Sequence, residues 1–368
     1  MPQKRLTYFD MAKGIGIFLV LLGHLQGDWF FSLSPYILPL CTWIFSFHMP
    51  LFFVTGGMLI RYRNDTEKDF SILFRRRFRG IMIPYFWFSL FYFSVVVYAL
   101  CKGSIKADTF FEQLWYVLSM HGMNVLWFLP ALFAGEMLFL WIRKRFSVKI
   151  TAILVTALAT LAGVANDAMG HISSDAMLIK RLQELALTLL RPFWVCAFVA
   201  VGYFVYGFFK EREKISLPEL LAGLFLMAVN IFVHPFNGGV DFRSLVFHNI
   251  GLYCIAALAG SLGLILICKN LPPVKPVLFF GMNSLIVMVV HNNETVLYLG
   301  MKLAMYANQY LTKARGYICY AIVVLVILAF CTLMILLINR FFPFLLGKPS
   351  AFGLFQKRSK ARSESDSK

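Results

Sequence analysis

Runs of about 20 mostly apolar residues, long enough to cross a bilayer as α-helices, recur from end to end of this chain. In hydrocarbon every backbone amide must be paired within its own structure, so such runs admit helices or closed barrels only. The runs are continuous rather than alternating, which argues against a barrel. Composition agrees. Of 368 residues, 60% are hydrophobic and 14% charged, against about 25% charged in an ordinary soluble domain. A single water-soluble core stops growing at roughly 250–300 residues and has no use for so much apolar surface. A soluble enzyme, a disordered chain and a disulfide-stapled module are excluded. The expected fold class is all-α, a polytopic membrane protein.

Ten spans are expected, at 12–31, 40–60, 81–101, 123–142, 150–166, 192–209, 217–234, 249–268, 277–297 and 317–339. The net charge of +17 does not imply nucleic acid, because the charges cluster in loops between these runs. With the N-terminus in the cytoplasm, the cytoplasmic segments hold 25 Lys and Arg and the opposite side holds 9. That asymmetry puts both termini in the cytoplasm. The first run is not expected to be a cleaved signal, since no small-x-small site follows it. Residues 1–345 are read as one transmembrane domain. Residues 346–368 are read as a polar cytoplasmic tail with no fixed structure. Residues 180–191 are expected as an amphipathic interfacial helix. The seven cysteines show neither metal-ligand nor redox spacing, so free thiols and no metal are expected.

An ionisable side chain inside a span is by default a functional candidate. Lys13 and His24 lie eleven residues apart in the first span. That is roughly 16 Å along a helix and about 20° past three full turns, so both occupy one face. Asp10 precedes Lys13 by three residues and is expected to pair with it. The bland alternatives are a snorkelling lysine and a histidine that merely hydrogen-bonds in the bundle. His48 lies thirteen residues from Arg61, about 20 Å from the cytoplasmic end of the second span. The two histidines therefore reach similar depth on consecutive antiparallel spans. Arg75, Arg76, Arg77 and Arg79 form either a positive-inside stop or a phosphate clamp, with Arg76 and Arg79 facing the same way. Glu136 is about 10 Å in from Arg143 and needs a partner such as Lys13, Arg79 or a histidine. Trp127 reads first as an interfacial anchor. Asn283, Ser284, His291, Asn292, Asn293 and Glu294 follow one another along the ninth span, and the last four are expected to line a wet cavity rather than cap a helix.

Five segments carrying these residues resemble the motifs of acyltransferase family 3 membrane proteins, in order. They are Lys13 ten intervening residues before His24; FHMPLFFVTGG with His48; RRFRGIMIPY with Arg76, Arg79 and Pro84; LWFLPALFAGE with Trp127 and Glu136; and GMNSLIVMVVH with Gly281, Asn283, Ser284 and His291. The chain is most similar to the fucose 4-O-acetylase-like and O-antigen acetylase-like branch. It departs from the usual second-span pattern at Thr55, where serine is common, and residues 150–275 match by hydropathy only.

The resemblance implies transfer of an acyl group, acetyl in the first instance, from cytoplasmic acyl-CoA to a hydroxyl of a cell-envelope saccharide or lipid-linked saccharide. The setting implied is a bacterial cytoplasmic membrane. His24 is then expected as general base, with His48, His291 and Glu136 orienting it or relaying protons. Lys13, Arg76 and Arg79 are expected to hold the phosphates of acetyl-CoA. Trp127, Asn283 and Ser284 would solvate the pantetheine arm. The alternative is a transporter or flippase for a polysaccharide or lipid-linked saccharide.

Overall fold

The computed structural model describes residues 5–172, 176–209, 215–310 and 315–348. The expected tail from residue 349 onward and the basic segment 210–214 lie outside them. Among the described residues eight helices are long and apolar enough to cross a membrane: Ile37–Tyr62, Phe70–Cys101, Asn124–Arg145, Val148–Gly170, Met177–Tyr206, Leu217–Asn237, Ile250–Lys269 and Gly316–Phe341. Among the described residues the only β-pairing is one isolated bridge, Asp241 to Val246.

The expected first and ninth spans are the two of the ten that are not among these eight. Helix α1, Thr7–Gly23, has 17 residues and begins earlier than expected. Its buried Asp10 is paired locally, with Lys13 Nζ at 2.8 Å and Arg5 Nε at 2.5 Å. Gly27, at φ +119°, separates it from the short α2, Asp28–Leu33. The ninth span is split into α13, Lys275–Met282, and α14, Ser284–Val290, with Asn283 between them. Asn293 then caps α15, Glu294–Asn308, by accepting the Val296 amide at 3.1 Å.

The second apolar run is also discontinuous. It comprises α3, Ile37–Phe45, and α4, His48–Tyr62. Pro50 lies in the first turn of α4, where a missing N–H is tolerated; a helix running through it would lose that bond and strike the Ser46 carbonyl. A short α5, Phe70–Arg77, leads through a π-helical turn, Phe78–Met82, into α6, Ile83–Cys101. Ile83 N–H bonds to Phe78 O, five residues back. Pro84 follows and cannot donate, which favours the wider turn.

Next come α7, Ala107–Leu118, α8, Phe128–Arg145, α9, Val148–Gly170, and α10, Met177–Tyr206. Residues 180–191 are thus the first half of a single 30-residue helix and not a separate interfacial one. Helices α11, Leu217–Asn237, and α12, Ile250–Lys269, precede the split ninth run, and α16, Arg315–Phe341, follows α15.

The centre is built from α1, α4, α8, α10 and α12, with α13 and α14 laid against α1. Close backbone approach sets that last contact. A Cβ at Gly14 would lie 2.1 Å from Val277 O, and one at Gly281 would lie 1.7 Å from Asp10 O. Helices α9, α11 and α15 are peripheral, covering α10, α12 and α16 respectively.

Candidate active site

Three helix ends meet at the centre, and each carries a histidine. His24 is the C-cap of α1, His291 is the C-cap of α14, and His48 opens α4 just past the end of α3. The last carbonyls of a helix have no intrahelical donor. Here Val20 O, Ile44 O and Val287 O do accept a backbone N–H, and each histidine ring adds a second bond to one of them. His24 Nδ1 bonds Val20 O at 2.8 Å, His48 Nδ1 bonds Ile44 O at 2.9 Å, and His291 Nδ1 bonds Val287 O at 3.0 Å and Met288 O at 2.8 Å. A carbonyl only accepts, so Nδ1 carries the proton in all three rings. Nε2 is then left with a lone pair, the form that accepts a proton. The rings are close: His24 and His291 stand edge to face with centroids 4.9 Å apart. Phe45 lies between His24, at 5.9 Å, and His48, at 5.0 Å.

All three rings line one cavity of about 410 Å³. Lys13, Trp127, Glu136 and Ser284 line it too, so it gathers seven of the ten side chains for which the resemblance implies a catalytic or donor-binding role. Lys13, Ile17, Val20 and His24 present one face of α1 to it. Three lining residues hold a buried polar atom without a hydrogen-bond partner among the described residues: Thr55 Oγ1, Glu136 Oε2 and His291 Nε2. Buried polar atoms are normally satisfied, so Thr55 Oγ1 and His291 Nε2, which have neither hydrogen bond nor ion pair among the described residues, suit a polar ligand in this cavity.

Arg76, Arg79 and Asn283 are elsewhere. They line a neighbouring recess of about 730 Å³ with Arg75 and Lys348, and Leu285 belongs to both walls. Glu136 pairs with none of its expected partners. Its Oε2 lies 3.1 Å from Arg77 Nε. Arg77 also reaches Asp65 Oδ2 at 3.3 Å, and Asp65 is in addition bound by Lys68 at 2.8 Å and by Arg76. Asp65 is fully buried in the turn after α4. Gly56 leaves room for this carboxylate, since a Cβ there would sit 2.8 Å from Glu136 Oε1. Asp65, and the pairing that singles out Arg77 among the four arginines, were hidden in the sequence because neither carries a periodic signal.

The end of the cavity opposite the arginines also departs from expectation. Trp127 is buried rather than interfacial; its ring stacks on Phe242 at 6.0 Å with Arg191 over it at 5.4 Å. Asn124, at φ +50°, and Asp241, Phe242 and Arg243 complete the wall. Asn292 does not line the cavity; it donates to Asn124 Oδ1 at 2.8 Å. Asn293 is a cap and Glu294 is exposed. Of the four-residue polar cluster, His291 alone faces the cavity. Arg191, fully buried, fixes the 241–246 turn through Nε to Arg243 O at 2.6 Å and Nη1 to His121 O at 3.1 Å.

The helical bundle thus gathers imidazoles, a carboxylate and a cation around one cavity within a membrane protein. The acyltransferase-domain family matches residues 6–338, nearly the whole chain, and makes this a membrane acyltransferase. The chain belongs to acyltransferase family 3. No curated protein and no solved structure matches it.

Proposed function

We propose that the protein moves an acyl group, acetyl in the simplest case, from acyl-CoA to a hydroxyl of a cell-envelope saccharide or lipid-linked saccharide. The observation that carries this reading is the set of three Nδ1-protonated imidazoles around one cavity, with an arginine-lined recess beside it. The basic end of the bundle faces the cytoplasm, where Lys and Arg are retained, and the setting is a bacterial cytoplasmic membrane.

In this reading the phosphates of the donor lie against Arg76 and Arg79, with Lys13 further in. The pantetheine arm passes Asn283, Ser284 and Leu285 and delivers the thioester to the cavity near Trp127. His24 Nε2 takes the proton of the acceptor hydroxyl as its oxygen attacks the thioester carbonyl. The C–O bond forms, the C–S bond breaks, and the departing sulfur takes the proton back from the imidazolium. His48 and His291 hold the acceptor and carry protons, while Glu136 stabilises positive charge as it develops. The thioester supplies the driving force.

Membrane vesicles given labelled acetyl-CoA and a glycan extract test this. Label in ester linkage to saccharide supports it. Saccharide crossing unmodified, with no ester formed, replaces it with a transporter. An ester-forming His24→Ala variant removes His24 from the role of base.

A further inference from the structure

The arginine recess has one wall that none of the sequence motifs supplies. After α16 the chain turns back through a 3-10 turn, Pro343–Leu346, whose Phe344 ring meets Trp87 of α6 edge to face at 5.3 Å. Gly347 and Lys348 then close on the π-helical turn that carries Arg79. Gly347 is left-handed, at φ +65°, and a Cβ there would lie 1.9 Å from Arg79 O. Only glycine both accepts that φ without strain and leaves the carbonyl in place. Lys348 Nζ donates to Asn339 Oδ1 at 3.3 Å, and Asn339 Nδ2 donates to Asn283 Oδ1 at 2.8 Å. The strap, the last long helix and the break between α13 and α14 are thereby tied along one rim.

The charge is one-sided. Arg75, Arg76, Arg79 and Lys348 line the recess, and no lining residue is acidic. Arg76 is held by Asp65, whereas Arg75, Arg79 and Lys348 have no carboxylate partner among the described residues. Such a field draws clustered negative charge. Phosphates of a nucleotide donor and those of a lipid headgroup share this chemistry. The shared wall at Leu285 favours the donor, because an acyl group anchored in the recess has the histidine cavity next to it.

We propose that the strap at Gly347 and Lys348 completes the phosphate site for the nucleotide end of the acyl donor, with Lys348 as its fourth cation. This rests on the donor assignment above. The test is CoA binding to the full-length protein in phosphatidylcholine nanodiscs, read by calorimetry. Lys348→Gln and Gly347→Ala are expected to weaken CoA by about threefold to tenfold, the scale of one partly screened charge-assisted hydrogen bond. Lys348→Arg is expected to bind as the wild type does. Wild-type binding with indifferent Lys348→Gln and Gly347→Ala variants overturns this inference alone. A wild type that does not bind CoA overturns the donor assignment and the inference with it. In phosphatidylglycerol discs, variants that lose retained lipid by native mass spectrometry but keep full CoA affinity would make the recess a headgroup site and overturn the proposal.

Discussion

Helix Asn124–Arg145 is 72% buried over its apolar stretch and Leu217–Asn237 only 11%, yet each brings a polar side chain into the bundle. The peripheral helix contributes Asn230, which is fully buried and fully used. Asn230 Oδ1 accepts from Trp43 Nε1 at 2.7 Å, and its amide donates to Ser46 Oγ at 3.0 Å and Ala256 O at 2.8 Å. The central helix contributes Glu136, equally buried, with Oε2 held by one ion contact and no hydrogen bond among the described residues. Burial therefore does not separate structural from functional polar residues. The two residues differ in satisfaction: Asn230 serves as glue between helices with every polar atom bonded, whereas Glu136 rests on one ion contact.

Three substitutions can break this distinction or sharpen it. His24→Ala should lower acyl transfer by about a hundred- to ten-thousandfold, the contribution of a positioned base, with membrane levels unchanged. Labelled-ester formation per milligram of protein measures it, and near-normal transfer would dissolve the special status of the centre. Arg77→Ala strands the buried Glu136 carboxylate, while Asp65 keeps Lys68 and Arg76, and should lower stability by about 3–5 kcal/mol. A thermal-unfolding midpoint equal to that of the wild type would show that Glu136 does not depend on Arg77. Asn230→Ala should cost about 1–2 kcal/mol of stability and leave the turnover of the folded fraction intact. The reverse outcome, a stable but slow variant, would make the peripheral asparagine functional. Below these in size comes Arg79→Ala, expected to raise the KM for acyl-CoA by about tenfold or less with kcat little changed. A change confined to acceptor KM would move the donor phosphates elsewhere.

The sequence made the all-helical membrane fold legible because hydrocarbon leaves so few options, and it placed Lys13 and His24 on one face because helical period is fixed by geometry. It located every long helix to within a few residues at most ends. What it missed are interruptions. Continuous hydropathy through 40–60 and 277–297 concealed breaks at Phe47 and Asn283, although Pro50 and the Asn-Ser pair stood in plain view. His48 opens the helix that follows the first break and His291 ends the helix that follows the second, so the placement of both rings depends on the part of the fold that averaging over 20 residues erases. The Asp65–Arg77–Glu136 chain was unreadable for another reason. It joins residues 71 positions apart through a turn, and no local pattern encodes that.

His121 offers the gentlest probe, at the end of the molecule where polar groups are satisfied. Its Nδ1 bonds Glu184 O at 3.0 Å and Thr188 Oγ1 at 3.1 Å, and Arg191 Nη2 donates to its Nε2 at 3.4 Å. Burial first, and then the Arg191 charge, push this imidazole down to about 4. Arg243 and Arg181 add to the depression and the Glu184 carbonyl opposes it. A group lowered in the folded state binds its proton first when unfolded, so stability rises with pH across the gap. Full stability is therefore held above the ordinary histidine value near 6.5 and is lost as pH falls from there toward about 4. In His121→Asn the amide replaces Nδ1–H but does not titrate, so its unfolding midpoint should fall less over that window. Parallel curves for the two proteins would mean that Arg191 accommodates a charged neighbour, and that the polar end of the cavity is less rigid than its hydrogen bonds imply.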